Sequence, residues 1–167
     1  MRAGLGFDIH RLVPERPLRL GGIEIPSPVG LLGHSDGDAL LHALCDALLG
    51  AAALGDIGDH FPDSDPAYRG IDSARLLAAT LDKVHAAGWT PVNVDATVIA
   101  QQPRLSPHKG AIRARVALLL GLDPGCVSIK AKTAEGLDAI GRGEAIAAQA
   151  VVLLERIEQG NSCKNAV

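Results

Sequence analysis

The scarcity of aromatic side chains limits this chain more than any other feature. Phe7, Phe61, Tyr68 and Trp89 are the only ones in 167 residues, 2% of the total. The core must then be assembled mainly from Ala, Leu, Ile and Val, and stacking platforms for single-stranded nucleic acid are not expected. The length suits one domain, because two cores of half this size would each be marginal. Hydrophobic residues at 47% and charged residues at 21% exclude an intrinsically disordered chain and a coiled coil.

A net charge of −3 provides no broad basic field, so neither a nucleic-acid backbone nor an anionic membrane is an expected partner. Apolar runs such as Val116 to Leu120 fall far short of the roughly 20 residues a membrane span needs. The start, Met1 to Asp8, lacks the pattern of a secretion signal. Three cysteines, Cys45, Cys126 and Cys163, are an odd number with no CxxC spacing. That count speaks for a reducing, cytoplasmic setting and against a disulfide frame or a thiolate zinc site.

The pattern predicts a strand over residues 2–8 and a hairpin over Leu18 to Ile25, turned at Gly21-Gly22. Gly33 to Asp38 leads into a helix reaching about Ala53, with Leu41, Leu44, Cys45, Leu48 and Ala52 at helical spacing. Residues 55–66 hold too many breakers for regular structure, and a second helix is expected from about Asp72 to Ala87. A strand follows over 92–100. Ser106 and Pro107 read as the N-cap and first turn of a helix that runs to about Leu120 and is closed by Gly121. Val127 to Ala131 reads as a strand. Ala145 to Ile157 fits helix or strand equally, since Ala and Gln favour one and Val151-Val152 the other. Residues 158–167 are polar, and they and Cys163 are expected to be mobile and dispensable. Strands alternating with helices indicate an α/β or α+β sandwich.

Asp8 and His10, two apart on a strand, project from one face and offer half a metal site. His42 on the following helix would complete an Asp-His-His set with a fourth position left for substrate. A turn cap and an ordinary partly buried histidine would look the same. Asp38, His42 and Asp46 fall on one helix stripe, so either carboxylate is a candidate to accept the second N–H of His42. For Asp38, helix capping is the competing role. His34 and Ser35, at the start of a helix, suit an anion. Asp56 to Gly58 and Phe61 to Asp65 suit sugar hydroxyls or ordinary turns. Lys132, Thr133 and Glu135, at a strand exit, suit phosphate oxygens and a hard divalent cation. A nucleophile elbow, a GxGxxG loop and a Walker loop are all lacking, and Cys45 reads as a core residue.

Taken in order, Gly6-Phe-Asp-Ile-His10, Gly33-His-Ser-Asp-Gly-Asp38, His42, Asp46 to Gly58, Phe61-Pro-Asp63, Ile99-Ala100, Pro103 and Gly141-Arg-Gly-Glu144 closely resemble the 2-C-methyl-D-erythritol 2,4-cyclodiphosphate synthase family. The likeness runs from Arg2 to about Glu155, which implies a single domain over 1–157. It implies an α+β, ferredoxin-like βαββαβ fold with a four-stranded sheet and helices on one face, the last segment being a strand. It also implies a homotrimer with active sites at the subunit interfaces.

The implied reaction belongs to non-mevalonate isoprenoid biosynthesis. The 2-phosphate of 4-diphosphocytidyl-2-C-methyl-D-erythritol 2-phosphate attacks the β-phosphate, closing a cyclic diphosphate and releasing CMP. By position, Asp8, His10 and His42 resemble the zinc ligands, and Glu135 the ligand of a magnesium or manganese ion. His34 and Thr133 are the implied catalytic residues. Asp8, His10, His34, Ser35, Asp56, Ile57, Gly58, Phe61, Pro62, Asp63, Ser64 and Asp65 resemble the stretch that holds the methylerythritol and its phosphates. Ala100, Gln101, Gln102, Pro103, Arg104, Leu105 and Ser106 resemble the cytidine-diphosphate pocket, together with Lys132, Thr133, Ala134 and Glu135. Arg142 is implied to contact ligand as well, although Ala139 stands where many relatives have Phe, and Arg104 where Lys is usual. Two other readings use the same residues: a phosphoesterase with two metals among Asp8, His10, Asp36, Asp38 and His42, and a binding scaffold without chemistry.

Overall fold

The computed structural model describes residues 1–157. The tail over 158–167, with Cys163, lies outside the described residues. β1 (Arg2–Pro14) is followed by a hairpin of β2 (Leu18–Leu20) and β3 (Ile23–Ile25), then β4 (Val29–Leu31) and α1 (Ala39–Ala52). Next come α2 (Ile57–His60), α3 (Ser73–Ala86), β5 (Trp89–Ile99) and α4 (Lys109–Leu120). β6 (Val127–Lys132), α5 (Asp138–Gly141) and β7 (Ala145–Arg156) complete the chain.

One sheet of five strands, in the order β4-β1-β7-β5-β6, organises the molecule, with β2 and β3 as a separate pair. Only β5 and β6 run parallel; the other neighbours are antiparallel. This corrects three expectations. The sheet has five strands rather than four, because short β4 pairs with the end of β1. Two long helices, α1 and α3, precede β5 and one, α4, precedes β6, so the order of the long elements is βααβαββ and not βαββαβ. The first strand ends at Pro14 and not near residue 8, because Ile9, His10 and Arg11 pair with Ala147, Ile146 and Ala145, and Leu12 to Pro14 pair with β4. Pairing with β1 and β5 also resolves the last segment as a strand.

The even-numbered residues of β1, β5 and β7 face α1, α3 and α4 and hold the core, including Val94, Ala96, Val98, Ile146, Ala148, Ala150, Val152 and Leu154. α1 lies closest, on β1 and β7. A Cβ on Gly4 would sit 2.0 Å from the Ala47 carbonyl oxygen, and one on Gly6 1.9 Å from that of Ala43. Glycine facing alanine therefore brings helix and sheet backbones together, which is how a core poor in aromatics closes without voids. The odd-numbered face carries none of the long helices. Leu5, Phe7, Ile9 and Val151 there are 61%, 52%, 46% and 44% exposed. Only at one end does Ile140 of α5 pack on this side, against Ala145, Ala147 and Ile99.

Local chemistry explains the ends of the elements. Asp38 caps α1 by accepting from Leu41 N, and Asp72 caps α3 by accepting from Ala74 N. Gly121, at φ 66°, closes α4 in the left-handed region that glycine adopts most readily. The expected cap at Ser106 does not form: Ser106–His108 is a 3-10 turn with no side-chain cap, and the α-helix begins at Lys109. The stretch 55–66 is not wholly irregular either, because a reciprocal capping box between Asp56 and Asp59 supports the single turn of α2. No helix among the described residues is long and apolar enough to cross a membrane.

Candidate active site

Asp8 and His10 lie side by side on the helix-facing side of β1, and His42 meets them from the second turn of α1. Asp8 Oδ2 is 2.8 Å from His10 Nε2 and 3.0 Å from His42 Nδ1, and the two nitrogens are 3.1 Å apart. Ligand atoms around a tetrahedral zinc are separated by about 3.3 Å at normal bond lengths, so the donor set fits such an ion after a slight expansion. The remaining nitrogens are also engaged. His10 Nδ1 donates to the Leu32 carbonyl at 2.7 Å, so the neutral ring carries its lone pair on Nε2. His42 Nε2 lies 3.0 Å from Ser35 Oγ and 2.9 Å from Ser73 Oγ.

Asp8 and His10 stabilise each other's charged forms. Burial pushes the Asp8 carboxyl up, but hydrogen bonds from His10 and His42 and their charge more than offset that and hold it far below the usual carboxylate range. Burial pushes His10 down, and its hydrogen bond and attraction to Asp8 reverse the direction, leaving it above the ordinary histidine value.

The expected carboxylate partners of His42 are employed elsewhere. Asp38 is fully buried and accepts from Gly21 N at 2.9 Å, Gly22 N at 2.7 Å and Leu41 N at 3.0 Å. Burial pushes its carboxyl up. Asp46 accepts from Ile57 N at 2.8 Å and ties α2 to α1. Asp36 bonds the backbone and hydroxyl of Ser73. With Asp36 and Asp38 so occupied, the five-residue set of a two-metal phosphoesterase does not assemble.

A cavity of about 420 Å³ opens beside the trio, lined by Asp8, His10, His34, Ser35, His42, Asp46, Ile57, Gly58, Phe61, Pro62, Asp63, Tyr68 and Leu76. Sequence reading anticipated most of this wall but not Tyr68 or Leu76, which lie beyond the recognised motifs. Asp56 and Asp65 cap helical turns, and Asp65 also offers its carbonyl to His34 Nε2 at 3.4 Å. Neither of them, nor Ser64, lines the cavity. Arg16 secures the anion loop from behind, donating to the carbonyls of Gly33 at 3.4 Å and Ser35 at 3.0 Å. Its position on the turn before the hairpin gave no signal in the sequence.

A second cavity of about 710 Å³ is formed by Ala100, Gln101, Gln102, Pro103, Arg104, Leu105 and Ser106 with Ala131, Lys132 and Thr133. Its residues come from the end of β5, the following loop and the end of β6. Thr133 Oγ1 donates to Glu135 Oε1 beside it. The two cavities share no lining residue, and Glu135 does not join Asp8, His10 and His42. Arg142 is on neither wall. It pairs with Glu144 and borders a separate groove with Leu12, Ser27 to Val29 and Gln101 to Pro103.

Known proteins bear on this arrangement. The model of the YgbB family matches residues 1–155. A protein of Dechloromonas aromatica named 2-C-methyl-D-erythritol 2,4-cyclodiphosphate synthase is 63% identical over 156 residues, 93% of this chain and 98% of its own length. Of the solved structures, a 2C-methyl-D-erythritol-2,4-cyclodiphosphate synthase in a CDP-bound form superposes with a TM-score of 0.86 at 45% identity, over 92% of this chain and all of that one. A bifunctional protein from Campylobacter jejuni, titled IspDF, superposes at 0.89 with 43% identity, over 93% of this chain but 42% of its own. A family model spanning nearly the whole chain, joined to a curated relative at this identity, leaves one assignment: the chain belongs to the YgbB family, that of the 2-C-methyl-D-erythritol 2,4-cyclodiphosphate synthases.

Proposed function

We propose that the chain converts 4-diphosphocytidyl-2-C-methyl-D-erythritol 2-phosphate to 2-C-methyl-D-erythritol 2,4-cyclodiphosphate, the product for which its relatives are named, and CMP. The observation that carries this is the Asp8, His10 and His42 trio on the wall of a cavity that also presents His34 and Ser35. The attacking group is already an anionic phosphate and the leaving group a nucleotide phosphate, so strong base catalysis is not required. The barrier lies in folding a flexible polyanion onto itself, a task of positioning and charge compensation. Asp8, His10 and His42 would hold a zinc ion, which when bound supplies Lewis acidity to the β-phosphate. His34 and Ser35 orient the diphosphate. Ile57, Gly58, Phe61, Pro62 and Asp63 enclose the methylerythritol, and Asp56, Ser64 and Asp65 shape its rim. Ala100 to Ser106 hold the cytidine, with Lys132 and Ala134 beside its phosphates. Thr133 donates to the leaving phosphate, and Glu135 would hold a magnesium or manganese ion there. The compartment proposed for the reaction is the cytoplasm.

The test is phosphorus NMR on metal-loaded protein supplied with the linear substrate. Equal yields of CMP and cyclic diphosphate, both lost in His42→Ala, are expected. Hydrolysed linear product would overturn the assignment.

The working unit in this proposal is a homotrimer. Two cavities without a common lining residue suit a site in which the nucleotide pocket of one chain meets the metal pocket of another. The uncovered sheet face supplies an apolar contact surface through Leu5, Phe7, Ile9 and Val151. Sedimentation should give three chains, and Phe7→Asp should yield inactive monomers. A fully active monomer would sink this part of the proposal.

A further inference from the structure

Metal binding needs each histidine to offer a lone pair in the right place, and the two histidines meet that need differently. A backbone carbonyl only accepts, so Leu32 fixes the proton of His10 on Nδ1. His42 has no such guide. Its Nε2 faces two hydroxyls, each able to donate or accept. On the other side Asp8 Oδ2, 3.0 Å from Nδ1, draws the proton onto the nitrogen that must stay bare to bind a metal.

We infer that Ser73, oriented by Asp36, is a positioning residue that keeps the proton of His42 on Nε2 and so presents Nδ1 to a divalent cation. The hydroxyl of Ser73 donates to Asp36 Oδ1, and a carboxylate only accepts. With its one hydrogen committed, Ser73 Oγ has only lone pairs for His42 Nε2, which must then be the donor. Ser35 is released by the same logic. Its oxygen accepts from Gly37 N at 3.1 Å, and its hydrogen is left for Ser73 Oγ, 3.3 Å away, or for an anion in the cavity it lines.

Ser73 is not needed as a cap. Asp72 caps α3, and the backbone N–H of Ser73 goes to Asp36 Oδ2 at 3.3 Å. Its hydroxyl is nonetheless fully buried, 31 residues along the chain from His42. Partners of this kind outside the ligand set commonly change metal affinity by about 10- to 100-fold.

This inference rests on the metal assignment above, and its test separates the two. Zinc affinity would be measured by chelator competition for the wild type, Ser73→Ala, Asp36→Asn and the cap variant Asp72→Ala, with the tautomer of His42 read by long-range proton–nitrogen NMR on metal-free protein at mildly alkaline pH. We expect the Ser73 and Asp36 variants to lose about 10- to 100-fold in affinity and to shift His42 toward the Nδ1-protonated form. Asp72→Ala should lower the melting temperature and leave affinity unchanged. Ser73→Ala with wild-type affinity and an unchanged tautomer overturns the inference alone. A wild-type protein that takes up no zinc overturns the metal assignment and the inference with it.

Discussion

Gly6→Ala is expected to cost about 3 kcal/mol of folding stability, and to disturb the metal site as well. The added methyl would lie 1.9 Å from the Ala43 carbonyl oxygen and 2.7 Å from Ala47 N. These are backbone atoms of a helix held on both sides, so no side-chain rotation relieves the clash and α1 must lift from β1. Asp8 stands two residues beyond Gly6, and His42 one residue before Ala43. The displacement that relieves the methyl therefore separates the ligands. Denaturant unfolding at fixed protein concentration, together with zinc titration, checks both effects. Gly50→Ala is the control: that helical glycine has nothing within 4 Å of its would-be Cβ, and alanine there should stabilise by about 0.5–1 kcal/mol. Equal midpoints for the two variants would refute the account of the seam.

Asp8→Asn is expected to lower turnover on the order of a thousandfold, by removing the anionic member of the proposed site for a Lewis-acidic cation. It should also change how the metal-free protein responds to pH. Asp8 has a lowered folded pKa, so its contribution is present above the unfolded value of 3.8 and is lost as pH falls through the folded one. His10 has a raised folded pKa, so its contribution is present below 6.5 and is lost as pH rises through the folded value. The pair therefore stabilises most between roughly pH 4 and pH 6.5, and Asp8→Asn should remove that maximum. Thermal melts of chelator-treated protein across this window would reveal it. An unchanged pH profile would show that the trio is not electrostatically coupled.

The candidate metal-binding trio was legible because strand and helix periodicities have physical force. Residues two apart on a strand share a face, which put Asp8 beside His10, and the apolar repeat after Asp38 predicted the helix that brings His42. Topology was less legible. Nothing local in Val29–Leu31 announces that it pairs with Leu12 to Pro14, since register between distant strands is a property of the assembled sheet. The βαββαβ order rests on the family resemblance alone, since the residues themselves give a list of elements compatible with several windings. Hydroxyls were the hardest. Ser73 looks like any residue in the first turn of a helix, and its role exists only once α3 is packed against α1 and the loop holding Asp36.

The stripe of Asp38, His42 and Asp46 has a meaning different from the one its spacing suggested. Each residue reaches a different part of the chain: the β2–β3 hairpin through Gly21 and Gly22, the ligands on β1, and α2 through Ile57. Helix α1 thus serves as a registration bar, with three separate segments indexed to successive turns of one rigid rod. Loop lengths between those segments have little leverage on the spacing of the chemistry. An insertion in the turn at 26–28 would be absorbed at the surface, whereas a single residue added within α1 would rotate its later contacts by about 100° and dismantle the site.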